Sequence, residues 1–164
     1  MASNKITIVN KFTVIKDTRE QNGWNFSKEG NCDGTVVEKL DTGDYSLKGL
    51  EDKFTIERKG CVAEFATNLF QERFYRELDR LNKFEHPYLI LEFPFDLMEI
   101  YPKNSSIPMC KWEFVKIRGN MLIKSYHEMR LSYPNIRVDF VGSGGKFYSF
   151  SLFKRITELY GRKV

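Results

Sequence analysis

Residues 86–93 read His-Pro-Tyr-Leu-Ile-Leu-Glu-Phe, a near-continuous apolar run with aromatic and β-branched side chains. A strand of this kind has no polar face to turn toward water, so it belongs inside a parallel or mixed sheet covered on both sides. The rest of the chain supplies the sheet and its cover. Strand patterns appear at 12–17, 35–40, 44–48, 53–59 and 136–142. Helical periodicity appears at 61–84, where Phe74, Leu78 and Leu81 share a face opposite Arg76, Asp79 and Arg80. It returns at 111–133, with Leu122, Tyr126, Met129 and Tyr133 on one stripe, and again at 146–162. Between them, 94–110 holds Pro94, Pro102 and Pro108 and reads as a loop broken by a short helix. The order β-β-β-β-α-β-α-β-α predicts an α/β domain: a mixed sheet covered by a helix pair and a terminal helix.

A length of 164 residues, 41% hydrophobic, suits one domain (1–164, core about 12–160) with a core that needs no disulfides. Cys32, Cys61 and Cys110 are odd in number and far apart, which argues against a disulfide framework or a CxxC metal knuckle. The first ten residues lack an apolar signal core, and no run approaches the roughly 18 apolar residues of a membrane span. The expectation is a cytoplasmic protein in a reducing compartment, free of membranes. A net charge of +4 suits a polyanionic partner, though proteins of many functions share it.

The segment 44–59 carries the chemistry. With Gly49-Leu50-Glu51-Asp52 as a hairpin loop and Lys48 opposite Lys53, Asp44 faces Glu57 across the strands. Tyr45, Leu47, Phe54 and Ile56 then share the core face, and Asp44, Glu57 and Lys59 the other. Like charges directly opposite one another are destabilising. Two facing carboxylates with a lysine two residues on form a candidate Mg²⁺ site, since hard oxygen ligands suit the hard cation. Such an ion lowers the pKa of bound water and stabilises charge on a phosphodiester. The pattern is degenerate, and a hairpin with a charged solvent face has the same residues.

The flanking residues make it more specific. Asp17-Thr18-Arg19-Glu20-Gln21, Leu40-Asp41-Thr42-Gly43-Asp44-Tyr45 and Ile56-Glu57-Arg58-Lys59 occur in this order, followed by Glu72-Arg73-Phe74-Tyr75 and Leu89-Ile90-Leu91-Glu92. Together they resemble the nuclease domain of the XPF family of structure-specific endonucleases, a branch of the PD-(D/E)xK nucleases. The resemblance implies a restriction-endonuclease-like mixed central sheet flanked by helices. It implies Mg²⁺ or Mn²⁺ held by Asp44, Glu57 and Asp17, with Glu20 as a further acidic catalytic member and Lys59 as the catalytic lysine. Arg19, Arg58 and Arg73 would hold DNA phosphates or brace the acidic residues. On a regular strand, however, Arg58 points away from Glu57, which leaves a structural role equally open.

Two departures from the family pattern stand out. Ala63 occupies the place of an aspartate four residues after the lysine, with Glu64 one step later. No helix-hairpin-helix module follows within the sequence, so a small stand-alone version in a viral or prokaryotic setting is the expectation. The function expected is a metal-dependent endonuclease acting on branched or junction DNA. Its rivals are a catalytically silent nuclease-fold subunit for DNA binding or scaffolding, and a restriction-type or single-strand-degrading nuclease. A homodimer, or pairing with another subunit, is expected: the apolar Phe147, Phe150, Phe153, Ile156, Leu159 and Tyr160 of the last helix exceed what one face needs, with ordinary core packing against the sheet an equally open reading. His86 and His127 stand too far apart for a histidine site. The 142–145 glycine run reads as a connector more readily than as a phosphate loop. The basic and aromatic run 111–124 reads as a solvated helix with an apolar stripe more readily than as a nucleic-acid face.

Overall fold

The apolar run forms β5 (His86–Leu91), between and parallel to β4 (Phe54–Lys59) and β6 (Arg137–Phe140). The structure, a computed structural model, describes residues 10–161. With β1 (Phe12–Lys16), β2 (Cys32–Val37) and β3 (Tyr45–Leu47) these strands form one six-stranded sheet in the order β2-β1-β3-β4-β5-β6. β3 runs antiparallel to both β1 and β4, while β1 and β2 are parallel, so the sheet is mixed.

Alternation along the strands divides the core in two. Leu89 and Leu91 pack on one face against α1 (Val62–Asn68), α2 (Glu72–Leu81), α3 (Asp96–Glu99) and α4 (Gly119–Ser132). Ile90 joins Tyr45, Leu47, Phe54 and Ile56 on the other face, beneath α5 (Gly145–Gly161). The α/β architecture is the one the sequence predicts, with several local corrections.

β2 begins at Cys32 instead of Thr35, because a register shift opposite Phe12–Val14 brings Cys32 into pairing with β1. The helical stretch at 61–84 is two helices. A single helix continuing the buried stripe of Val62, Phe65, Ala66 and Leu69 would next bury Arg73 and Arg76, whereas the apolar side chains stand at 74, 78 and 81. The break at 69–71 absorbs this phase slip. The pattern at 111–133 is also divided: Met109–Phe114 is a 3-10 turn with no buried residue, 115–118 is extended, and α4 starts at Gly119. A Cβ at Gly119 would lie 1.9 Å from the Glu99 carbonyl oxygen, so the close approach of α3 and α4 requires glycine there. The glycine run at 142–144 is a short 3-10 turn leading into α5.

The last helix commits most of its apolar surface to its own sheet. Phe153 and Ile156 are buried, and Phe150 stacks on Phe26 and packs against Phe12. Phe147 and Leu159 are the large apolar side chains of α5 left exposed among the described residues. The apolar excess expected to mark a pairing surface is therefore mostly core.

Candidate active site

Tyr45 pairs with Ile56, the register predicted, which sets Asp44 across from Glu57 at the open end of the hairpin. The turn before Asp44 is built for this. Gly43 has φ +85, and a Cβ there would lie 2.0 Å from Thr55 Oγ1 and 3.0 Å from the Ile56 carbonyl oxygen. Only glycine lets the backbone take that conformation against β4. The Asp44 amide donates to the Ile56 carbonyl at 2.7 Å, and the Asp17 amide to the Asp44 carbonyl at 2.8 Å. The Arg58 amide donates to Asp44 Oδ2 at 2.7 Å, which fixes the carboxylate as well as the backbone.

Asp44, Glu57 and Lys59 line one cleft of about 260 Å³. Its walls are Arg19 and Gly43 on one side, and Glu64 and Asn68 of α1 with Gln71, Arg73, Phe74 and Glu77 on the other. Glu57 is 4% exposed and Lys59 6%, so this is no solvated hairpin face. Lys59 Nζ donates to Glu57 Oε1 at 2.6 Å and lies 5.2 Å from the centre of the Phe74 ring.

Charge is unfavourable here. Burial pushes Asp44 up to about 7, against the pull of the Arg58 amide and Lys59, and Glu20 and Glu77 push it further. Burial, and after it the charge of Asp44, holds Glu57 well above the usual carboxylate range despite Lys59. Burial disfavours the Lys59 ammonium, but Glu57 outweighs it and its pKa goes up. A cation would relieve this repulsion. Among the described residues no three acidic, histidine or cysteine side chains converge to hold a metal ion on their own. Asp44 and Glu57 fit instead a hard ion that keeps waters and takes oxygens from its substrate, as Mg²⁺ does.

The other expected site residues are dispersed. Asp17 is 1% exposed and does not line the cleft. Its Oδ1 accepts from the Arg19 amide at 2.9 Å and Arg19 Nε at 2.5 Å, and its Oδ2 from the Leu40 amide at 2.6 Å. Burial raises its pKa, but these bonds outweigh burial and hold it below the ordinary value. Its carboxylate is thus engaged in fastening the 17–19 turn to Leu40. Glu20 also lies off the cleft wall, 3.6 Å from Arg58 Nη1. Arg58 is on the opposite sheet face, where Nε bonds Glu92 Oε2 at 2.5 Å and the guanidinium lies 5.2 Å from the Trp24 ring. Arg19 and Arg73 do line the cleft, Arg73 exposed and Arg19 also bonded to the Leu40 carbonyl.

Glu64, the residue beside Ala63, reaches the cleft wall. Its Oε2 accepts from the Gly60 amide at 2.9 Å, and its Oε1 lies 3.9 Å from Lys59 Nζ, so it braces the lysine. Glu77 went unnoticed in the sequence, although it is one helical turn beyond Arg73 and therefore on the same face. Its charge is felt by Asp44, Glu57, Lys59 and Arg19 alike.

Comparison with known proteins agrees with the motifs. XPF from Aeropyrum pernix shares the fold, with a TM-score of 0.58 and 20% identity over 92% of this chain and 65% of that one. The same protein in complex with DNA gives 0.58 and 21% over 90% of this chain and 66% of that one. The chain therefore spans just under two thirds of those solved chains. No curated protein sequence matches. The ERCC4 domain family matches residues 16–141, a span that contains the hairpin, the cleft and five of the six strands in full, and the chain belongs to that family.

Proposed function

We propose that this chain is a divalent-cation-dependent DNA endonuclease acting on branched or junction DNA. The observation that carries the reading is the confinement of Asp44, Glu57 and Lys59 to one buried cleft open on its rim to Arg19 and Arg73. The solved XPF relative in complex with DNA supports DNA as the substrate. Asp44 and Glu57 would hold Mg²⁺ or Mn²⁺, which when bound supplies a more acidic water and a counter-charge for the phosphodiester. Asp44 is presented rigidly by the Arg58 amide. Lys59, kept protonated by Glu57, brings its ammonium to where negative charge grows on the reacting phosphate. Arg19 and Arg73 would neutralise flanking phosphates and set the strand along the cleft. Asp17 and Glu20 serve here by fixing the backbone that carries Asp44 and by bracing Arg58.

The test is cleavage of duplex, flap, fork and four-way-junction DNA with and without Mg²⁺ or Mn²⁺. Metal-dependent cutting of a branched substrate is expected; no cutting of any substrate with either ion defeats the proposal. One observation favours a catalytically silent DNA-binding subunit: Ala63 supplies no carboxylate, and Glu64 is turned onto Gly60 and Lys59. That reading predicts intact binding with no cleavage. Pairing, with a second copy or another subunit, would rest on the exposed Phe147 and Leu159. A monomeric mass in light scattering at micromolar concentration excludes self-pairing.

A further inference from the structure

The segment 103–118 neither crosses the sheet nor joins the helix that its sequence pattern suggests. Ile107, Val115 and Ile117 anchor it on the core, and Trp112 Nε1 ties it to the Ile107 carbonyl at 2.9 Å. The 3-10 turn between those anchors buries nothing. Met109 and Phe114 are each 74% exposed, an outward display of apolar surface that core packing does not explain. Around them Lys103, Lys111 and Lys116 are exposed, with Glu113 the one acidic residue of the segment. Arg118 caps the turn through the carbonyls of Trp112 and Glu113, at 3.0 and 3.4 Å. Beneath the turn lies a hollow of about 280 Å³, walled by Tyr101 and Pro102 on one side and Trp112 on the other, with Lys103 and Arg118 at its edge.

The segment adjoins the candidate active site. Ser106 Oγ is 4.0 Å from Cys61 Sγ, and Cys61 opens the helix whose Glu64 and Asn68 line the catalytic cleft. The exposed Lys111, Phe114 and Lys116 follow Ser106 on the same segment. Basic groups on either side of an exposed aromatic ring, Lys111 and Lys116 about Phe114, suit a single strand, whose phosphates take the charge and whose unpaired bases stack. A paired duplex offers the charge a partner but gives Phe114 no base face.

We infer that segment 103–118 is a second DNA contact, which binds an unpaired strand as it leaves the cleft. This rests on the nuclease reading for its partner, yet its test needs no cleavage. Metal-free binding is measured by fluorescence anisotropy with two labelled probes, a full duplex and the same duplex bearing a single-stranded arm. Phe114→Ala should weaken binding of the armed probe about tenfold, the loss of one stacked base, and leave the full duplex unchanged. Lys111→Ala with Lys116→Ala should lower the slope of log affinity against log salt by about 0.7 per lost contact on the armed probe. An unchanged melting temperature in each variant shows that the fold is kept. Armed-probe affinity equal to wild type in both variants overturns the inference. So does an equal loss on both probes, and so does unchanged DNA binding with lost self-association, which would give the surface to a second copy. A wild type that binds neither probe instead sinks the nuclease reading itself.

Discussion

β4 carries two opposite solutions to burying charge, one on each face. Toward the cleft, Glu57 and Lys59 share their space with Asp44 and feel Glu77, and both carboxylates are pushed upward. Toward α5, Arg58 between them meets Glu92 and Glu20 and lies against Trp24, whose Nε1 donates to the second oxygen of Glu92 at 3.1 Å. One face is over-supplied with negative charge; the other is matched donor to acceptor. A matched network holds a fold in place, whereas a surplus of buried negative charge would be relieved by a cation.

The sharpest way to break this contrast is to remove the cleft charges. Asp44→Asn and Glu57→Gln should each reduce cleavage to background with the fold retained. Lys59→Ala should slow turnover roughly a hundredfold or more while metal binding persists. Melting temperature against Mg²⁺ separates the roles. The ion should stabilise wild type and Lys59→Ala by mass action and the two carboxylate variants much less. Equal responses from all four proteins would mean that Asp44 and Glu57 are not its ligands.

On the matched face the effect should fall on stability. Arg58→Ala strands Glu92 in a site where its side chain is 12% exposed, and should destabilise by about 3 kcal/mol in urea unfolding. A near-neutral result, with weakened DNA binding instead, would return Arg58 to the DNA-contact role.

A third measurement reads the charge imbalance directly. A carboxylic acid raised in the folded state contributes stability below its ordinary pKa, and that stability is lost as pH climbs through the folded value. For Asp44 the window runs from 3.8 to about 7. Metal-free wild type should therefore lose melting temperature from pH 5 to pH 8, and Asp44→Asn should flatten the curve. A parallel fall in both proteins would assign the loss to other groups.

The smallest effect belongs to Glu77. Glu77→Gln removes a charge that raises both cleft carboxylates, so their pKa values in the metal-free protein should fall, as followed by carboxyl NMR shifts, with melting temperature nearly unchanged. No movement in either carboxyl would place Glu77 outside the field of the site.

Much of this was legible in the residues, and where it was not the reason is physical. The hairpin register followed from alternation, because a slip of one residue would have turned Tyr45, Leu47, Phe54 and Ile56 out of the core. That the Asp44–Glu57 face lies buried beneath α1 and α2 was not legible, since a charged strand face reads the same whether helices cover it or water does. Glu77 escaped because its closeness to Glu57 spans two elements and depends on the break at 69–71. The division at 109–118 escaped because Leu122, Tyr126 and Met129 continue a helical period that the tightly packed Gly119 in fact begins.

By itself, the sequence determined the strands, the pairing of Asp44 with Glu57, and the opposed directions of Arg58 and Lys59. The last two are consequences of a two-residue period in which each side chain's face is set by its parity, whereas the central strand followed from its continuous apolar run. Only the tertiary structure decided which acidic groups share a cleft and which are used to hold the frame. Asp17 fastens Leu40, Glu64 braces Lys59, and Glu77 enters the cleft from another helix. Burial and charge act through space, and the distances that govern them appear only once the helices have been laid on the sheet.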